Sequence, residues 1–408
     1  MGDFHQNGCI TTLHNLSRRS LVELESELLS FSKTRPLGLI LPSLFSELEG
    51  QAMPLILSEL KQVPYLNQIV IGLDRASKTQ YQQALKFFSE LPQNFQVMWN
   101  DGPRLKALDK KLQGLDLAPK EMGKGRNVWY CMGYVLASNQ AESIALHDCD
   151  ITTYNRELLA RLIYPVANPR FNYEFCKGYY ARIANGKING RVSRLFVSPL
   201  LRALKKTIGY TDYLNYMDSF RYPLAGEFSF RRDVLNDIRI PSDWGLEVGV
   251  LSEMYRNYAG NRLCQVDIAD NYDHKHQDLS LHNDSDGLSK MSIDIAKALY
   301  RKLATQGEVF KQEDFRSLKA TYYRLALDTI EACHNDAIIN GLSLDIHEEE
   351  QAVEMFAENI IKAGDIFFNY PMERPFIPSW NRVVSAVPNI FDQLLSAVEE
   401  DRKQFAQM

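Results

Sequence analysis

The sequence predicts an α/β fold: a layered sheet of short buried strands alternating with helices, followed by a helical appendage. Short apolar runs at Leu37-Gly-Leu-Ile-Leu41, Gln68-Ile-Val-Ile-Gly-Leu73 and Phe95-Gln-Val-Met-Trp99 alternate with stretches of helical spacing, as parallel βαβ units require. A further run, Ser143-Ile-Ala-Leu-His-Asp-Cys-Asp-Ile151, reads as a buried strand that delivers two carboxylates at its end. From Leu288 the strand signals fade, while Leu288, Met291, Ile295, Leu299 and Leu303 keep helical spacing.

Composition narrows the classes of function. A chain of 408 residues buries a large core. With 46 Lys+Arg against 51 Asp+Glu and a net charge of -5, it gives no reason to expect a nucleic-acid partner. No apolar run approaches the roughly 20 residues that span a bilayer, and Asp3, His5 and Gln6 replace the apolar core of a signal peptide, so no membrane is expected and the protein is assigned to the cytoplasm. Six cysteines are scattered without a C-x-x-C pair, which argues against a zinc ribbon and for reduced, mostly buried thiols.

Along the chain, residues 1–34 are polar with one amphipathic piece, Leu21–Leu29, and read as an arm packed on the body. Residues 35–284 carry the sheet. Pro42 follows the first strand, and helical spacing runs from Ser46 to Gln62. Asp74 ends the second strand; because ligands of α/β sheets sit beyond the C-terminal strand ends, it faces the same crevice as Asp148 and Asp150. Gly123-Lys-Gly125 opens a helix whose Val128, Cys131, Met132, Val135 and Leu136 mark a buried face, which holds Lys124 at an end that attracts anions. Neither the P-loop spacing nor a G-x-G-x-x-G is present.

Asp148 and Asp150 form a D-x-D pair suited to a hard divalent cation held against a phosphorylated substrate, with Cys149 turned away into the core. Asp284-Ser-Asp286 repeats the pattern in a polar setting that reads as a turn. After a strand within Tyr173–Ile183, the turn Asn185–Ser193 combines Gly186 and Gly190 with Lys187, Arg191 and Arg194, the best anion site in the chain. Glu227 follows the small-residue turn Pro223-Leu-Ala-Gly, and Glu247 lies in an otherwise apolar helix start, where a carboxylate costs desolvation unless it binds a ligand or caps a neighbour. A last strand, Arg262–Ile268, leads to His274 and His276, whose imidazoles can complete a metal site begun by aspartates. Residues 285–408 form the helical appendage, with stretches near Phe315–Cys333, Glu348–Ala363 and Arg382–Phe405, packed on the sheet or forming an oligomer contact.

In order and spacing, Gly123-Lys-Gly125, Asp148-Cys-Asp150, Gly190-Arg-Val-Ser193 and the block from Pro223-Leu-Ala-Gly-Glu227 through Gly245-Leu-Glu247 to His274-Lys-His276-Gln277 resemble the glucosyl-3-phosphoglycerate synthase family of retaining glycosyltransferases. The resemblance implies a GT-A type, Rossmann-like mixed sheet and transfer of a hexose, glucose in the family, from a nucleotide sugar such as UDP-glucose to 3-phosphoglycerate, with Mg²⁺ or Mn²⁺. It implies metal ligation by Asp150 and His274 and donor contacts from Pro42, Glu47, Asp74, Lys124 and Asp148. Gly190, Arg191 and Ser193 would receive the acceptor, Glu227 and Glu247 would hold sugar or acceptor hydroxyls, and the enzyme would be a homodimer. Two departures bear on the donor: Pro42-Ser-Leu-Phe-Ser-Glu47 replaces the family's Pro-Ala-Leu-Asn-Glu-Glu, and Tyr272 stands in place of an arginine. A different donor or acceptor, such as glycerate, and a non-catalytic nucleotide-sugar-binding scaffold stay open at this point.

Overall fold

The computed structural model describes residues 6, 8–17, 19–274, 287–371 and 376–406. Its centre is an eight-stranded sheet of β1 (Thr11–Leu13), β2 (Leu37–Leu44), β3 (Leu66–Asp74), β4 (Phe95–Trp99), β5 (Ser143–Leu146), β6 (Phe175–Tyr180), β7 (Phe228–Arg231) and β8 (Leu263–Ala269). The spatial order is β1-β8-β6-β7-β5-β2-β3-β4. All neighbours run parallel except β7, which is antiparallel to both β5 and β6. Sequence reasoning placed Glu227 after a turn and saw no strand behind it, because Phe228-Ser-Phe-Arg231 is too short to show a pattern. The polar arm hid β1 in the same way, although it extends the sheet by pairing with β8.

Strand alternation divides the core into two layers. Leu39, Leu41, Ile69, Ile71 and Val97 face one layer, packed under the helices Leu21–Phe31, Ala52–Leu60 and Lys78–Phe88. Ile40, Val70, Met98, Ile144 and Phe230 face the other. That second layer is covered by α1 (Lys124–Ser138) and is continuous with the C-terminal helices α2 (Gly287–Ala304), α3 (Gln312–Ile339), α4 (Ile346–Asn369), α5 (Trp380–Ala386) and α6 (Ile390–Phe405). Two stretches expected to be single helices are broken. Ser46–Gln62 divides into Phe45–Leu48 and Ala52–Leu60 around Gly50, and Arg382–Phe405 divides between α5 and α6 at Pro388, whose ring and missing N–H do not continue a helix. Cys131, Cys149, Cys176 and Cys264 are buried thiols. Among the described residues no helix is long and apolar enough to cross a membrane.

The C-terminal helices grip α1 through two tryptophans. Trp129 and Trp380 stack with ring centroids 4.2 Å apart, Trp380 Nε1 donates to the Trp129 carbonyl at 3.0 Å, and Trp129 Nε1 donates to the Pro378 carbonyl at 2.9 Å. Trp380→Ala removes a buried ring and one of these bonds, and should cost about 3–5 kcal/mol of stability in chemical denaturation. A loss below about 1 kcal/mol would show that the stack does not hold the C-terminal helices to α1.

Candidate active site

β5 ends at Leu146, opposite Ile40, while β2 runs on to Leu44 beside β3. The strand order turns at this point, with β3 and β4 on one side of β2 and β5 on the other, so the chain leaving β5 opens a crevice. A cavity of about 1260 Å³ occupies it, lined by Pro42, Glu47, Asp74, Lys124, Asp148, Asp150, Gly190, Arg191, Ser193, Glu247 and His274. Asp148 and Asp150 therefore lie beyond the strand in the loop that crosses the crevice, and Cys149 between them is buried.

The first residue of α1 is Lys124, and its ammonium bridges two carboxylates, 2.6 Å from Asp148 Oδ1 and 3.2 Å from Glu247 Oε1. Glu247 comes from the first turn of the helix Leu246–Asn257. Burial alone would lower the Lys124 pKa, but the charges of Asp148 and Glu247 outweigh it and keep the amine protonated. Burial would likewise raise Asp148, and Lys124 holds it below the usual carboxylate range instead. Behind the pair the backbone comes very close: a Cβ on Gly226 would lie 2.5 Å from Asp148 Oδ2.

His274 reaches Asp150 because its chain segment is zipped to the D-x-D loop. Ile151 and His274 form an antiparallel bridge, Thr152 N donates to the Asp273 carbonyl at 2.9 Å, and Asp273 N donates to Thr153 Oγ1 at 3.0 Å. His274 Nδ1 stands 3.7 Å from Asp150 Oδ2, and Asp150 Oδ1 is buried without a hydrogen-bond partner. Burial works against a charged His274, yet the bond to Asp150 and the charges of Asp150 and Asp148 raise its pKa. A carboxylate oxygen and an imidazole nitrogen fit a divalent cation that takes its other ligands from water and a diphosphate. Among the described residues no three ligating side chains converge. His276, Asp284 and Asp286 lie outside the described residues.

A hairpin of Ile183–Ala184 with Lys187–Ile188 also borders the cavity; it turns through Gly186, and Gly190 follows, both glycines having positive φ, 70° and 78°. Arg191 is not alone there. Its Nε donates to Glu349 Oε1 at 2.8 Å, another of its nitrogens pairs with Glu348, and Arg194 donates to Glu349 Oε2 at 2.9 Å.

No protein-family model matches the chain. The glucosyl-3-phosphoglycerate synthase of Persephonella marina is 49% identical over 98% of this chain and 99% of its own length. That similarity decides the family. The chain belongs to the glucosyl-3-phosphoglycerate synthase family. The Methanococcoides burtonii synthase is 40% identical over 99% of both chains. Among solved structures, the Mycobacterium tuberculosis glucosyl-3-phosphoglycerate synthase in complex with Mn²⁺, UDP-glucose and phosphoglyceric acid superposes with a TM-score of 0.52 at 19% identity, covering 72% of this chain and 87% of that one. The mannosyl-3-phosphoglycerate synthase of Rubrobacter xylanophilus gives 0.53 at 19% identity, covering 74% and 83%. These structural matches show a shared GT-A type fold.

Two expectations drawn from the glucosyl-3-phosphoglycerate synthase family change in this member. Glu227 does not line the cavity: it is 0% exposed, and its two oxygens accept from Tyr272 OH at 2.5 Å and Tyr180 OH at 2.8 Å. Burial and the nearby charge of Asp148 push its pKa up. Tyr272, in place of the family's arginine, is likewise a buried support, stacked on Tyr180 at 3.6 Å. Phe45, in place of the family's asparagine, is buried in the core layer beneath the crevice, whereas Glu47 faces the cavity.

Sequence reasoning missed Lys177 and Arg182. Lys177 is wholly buried on β6; it donates to the Ala225 carbonyl at 2.5 Å and lies over the Phe228 ring at 4.6 Å. Burial pushes its pKa down to about 7, against the charges of Glu247 and Glu227. A lysine inside the otherwise apolar Phe175-Cys-Lys-Gly-Tyr-Tyr180 was the available signal. Arg182 lines the cavity beside Gly190, and its Nε is buried without a hydrogen-bond partner.

Gly226→Ala should lower kcat/KM by about a hundredfold by displacing Asp148, with the melting temperature serving as control; near-normal turnover would mean that the loop yields freely. Burial raises the Asp74 pKa to about 6, against a hydrogen bond from Asn100. Asp74 is therefore an acid below that pH and a carboxylate above it. The donor KM of Asp74→Asn relative to wild type should be largest well above pH 6 and shrink toward one below it. A ratio constant with pH would remove Asp74 from donor binding.

Proposed function

We propose that this protein transfers glucose from a nucleotide sugar, UDP-glucose or a close relative, to 3-phosphoglycerate with retention at the anomeric carbon, in the cytoplasm, as a homodimer. The observation that carries this reading is that Asp150 and His274, 3.7 Å apart, line one cavity together with Lys124 and with Gly190, Arg191 and Ser193. The family membership and the substrates bound in the Mycobacterium tuberculosis structure support it.

Asp150 and His274 would hold a divalent cation, which neutralises charge on a nucleoside diphosphate. Lys124, fixed between Asp148 and Glu247, places a permanent positive charge where the diphosphate departs. Pro42, Glu47 and Asp74 line the donor end. Gly190, Arg191 and Ser193 would receive the acceptor's phosphate and carboxylate, and Arg182 adds a cation on the other flank of Gly190. The carboxylates beside the reaction centre are engaged: Asp148 and Glu247 by Lys124, Glu227 by two tyrosines. That favours attack by the acceptor hydroxyl on the leaving-group face, its proton passing to the departing diphosphate, over attack by a protein nucleophile. Glu247 then orients hydroxyls at the reaction centre, and Glu227 acts as a positioning residue through its tyrosines and the adjacent Gly226.

Nucleoside diphosphate release from a panel of nucleotide sugars, with 3-phosphoglycerate or glycerate and Mg²⁺ or Mn²⁺, tests the reading. The expected outcome is turnover with a glucose donor and 3-phosphoglycerate that requires the metal and is lost in Asp150→Ala and His274→Ala. Near-normal turnover in both variants would sink the metal assignment, and donor binding without turnover under any condition would sink the enzyme. Light scattering at working concentration checks the dimer; a monomer would overturn that part.

A further inference from the structure

Arg191 is placed to receive an anion, yet a carboxylate from the far end of the chain already occupies it. Glu348 and Glu349 stand in the first turn of α4, whose N-cap Asp345 accepts a hydrogen bond from Glu348 N. The segment before α4 is pinned to the acceptor hairpin: Ser343 N donates to the Gly186 carbonyl at 2.8 Å, and Lys187 and Ser343 form a parallel bridge. This fastening fixes where the two glutamates meet the acceptor end of the cavity, and both line it.

The two carboxylates are not equivalent. The Glu349 side chain is 2% exposed, and its oxygens are divided between Arg191 and Arg194, while Arg194 Nε also donates to the Asn189 carbonyl. A buried carboxylate shared by two guanidinium groups is expensive to unpair, so it is a fixed part of the wall. The Glu348 side chain is 51% exposed and holds Arg191 alone. An exposed pair of that kind adds little stability, and a phosphate, with close to two charges and three acceptor oxygens, is the stronger partner for a guanidinium.

We infer that Glu348 is an exchangeable stand-in for the acceptor's phosphate, releasing Arg191 when the phosphorylated acceptor arrives, while Glu349 is a positioning residue that holds Arg191 and Arg194 in place throughout. The inference rests on the reading of Arg191 as an acceptor contact. Without ligand the two arginines are balanced by two glutamates. On binding, one negative partner replaces another, so the acceptor competes with Glu348 for the same donor groups.

Steady-state kinetics with 3-phosphoglycerate as the varied acceptor tests the exchange. Glu348→Ala and Glu348→Gln should both lower the acceptor KM by about two- to fivefold and leave the donor KM within about twofold of wild type. A merely structural glutamate would not improve acceptor binding when removed. Glu349→Gln should raise the acceptor KM, since it loosens both arginines. Arg191→Ala is the control for the underlying reading and should raise the acceptor KM by about tenfold or more. If Arg191→Ala raises it while the Glu348 variants leave it unchanged or higher, the exchange is wrong and the acceptor site stands. If Arg191→Ala leaves it unchanged, the acceptor assignment fails and the exchange with it.

Discussion

The ammonium of Lys124 is the interaction on which the site depends. Asp148 and Glu247 come from a loop and a helix that are distant in sequence, and Glu227 is buried close by, its pKa raised in part by the charge of Asp148. Carboxylates crowded in this way repel one another, and a cation standing among them offsets that repulsion. Lys124 is that cation. It is placed as the first residue of α1, and the stacked tryptophans hold α1 against the C-terminal helices, so the charge at the centre of the cavity is positioned by packing well away from it.

Much of the fold was legible because its elements carry strong patterns. β2, β3 and β4 are apolar runs that alternate between two core layers, and the helix that opens at Lys124 announces itself by spacing. Where the signal failed, it failed for physical reasons. β1 and β7 are a few residues long and rely on their neighbours for pairing, so nothing in Thr11–Leu13 or Phe228–Arg231 marks them alone. The two broken helices misled because apolar spacing continues across Gly50 and Pro388.

The site was legible in part. Lys124, Asp148, Asp150 and His274 could be named because their types and order match a chemistry, although the bridge at Ile151 that joins the last two is a tertiary pairing. The tyrosine pair that secures Glu227 was not visible: Tyr180 and Tyr272 are far apart in sequence, and only the fold stacks them. For the same reason the carboxylates on Arg191 were out of reach, since the residues on either side of that contact lie more than 150 positions apart. The C-terminal helices are thus more than a covering for the sheet; the first turns of α2 and α4, with the segment Ser343–Asp345, line the cavity.

β7 carries a consequence of its own. β2, β3, β5, β6 and β8 bring the chain outward to the crevice, where residues at or after their ends line the cavity. β7 runs the opposite way, so the crevice meets the segment that enters it, from Tyr222 to Gly226, and that segment is anchored immediately afterwards by pairing on both sides. Insertions after Arg231 would emerge at the back of the sheet and leave the crevice untouched. Insertions before Tyr222 would arrive at the acceptor side while the Gly226–Glu227 corner stayed in register. The one reversed strand therefore separates a part of the site that is free to diversify from a part that is not.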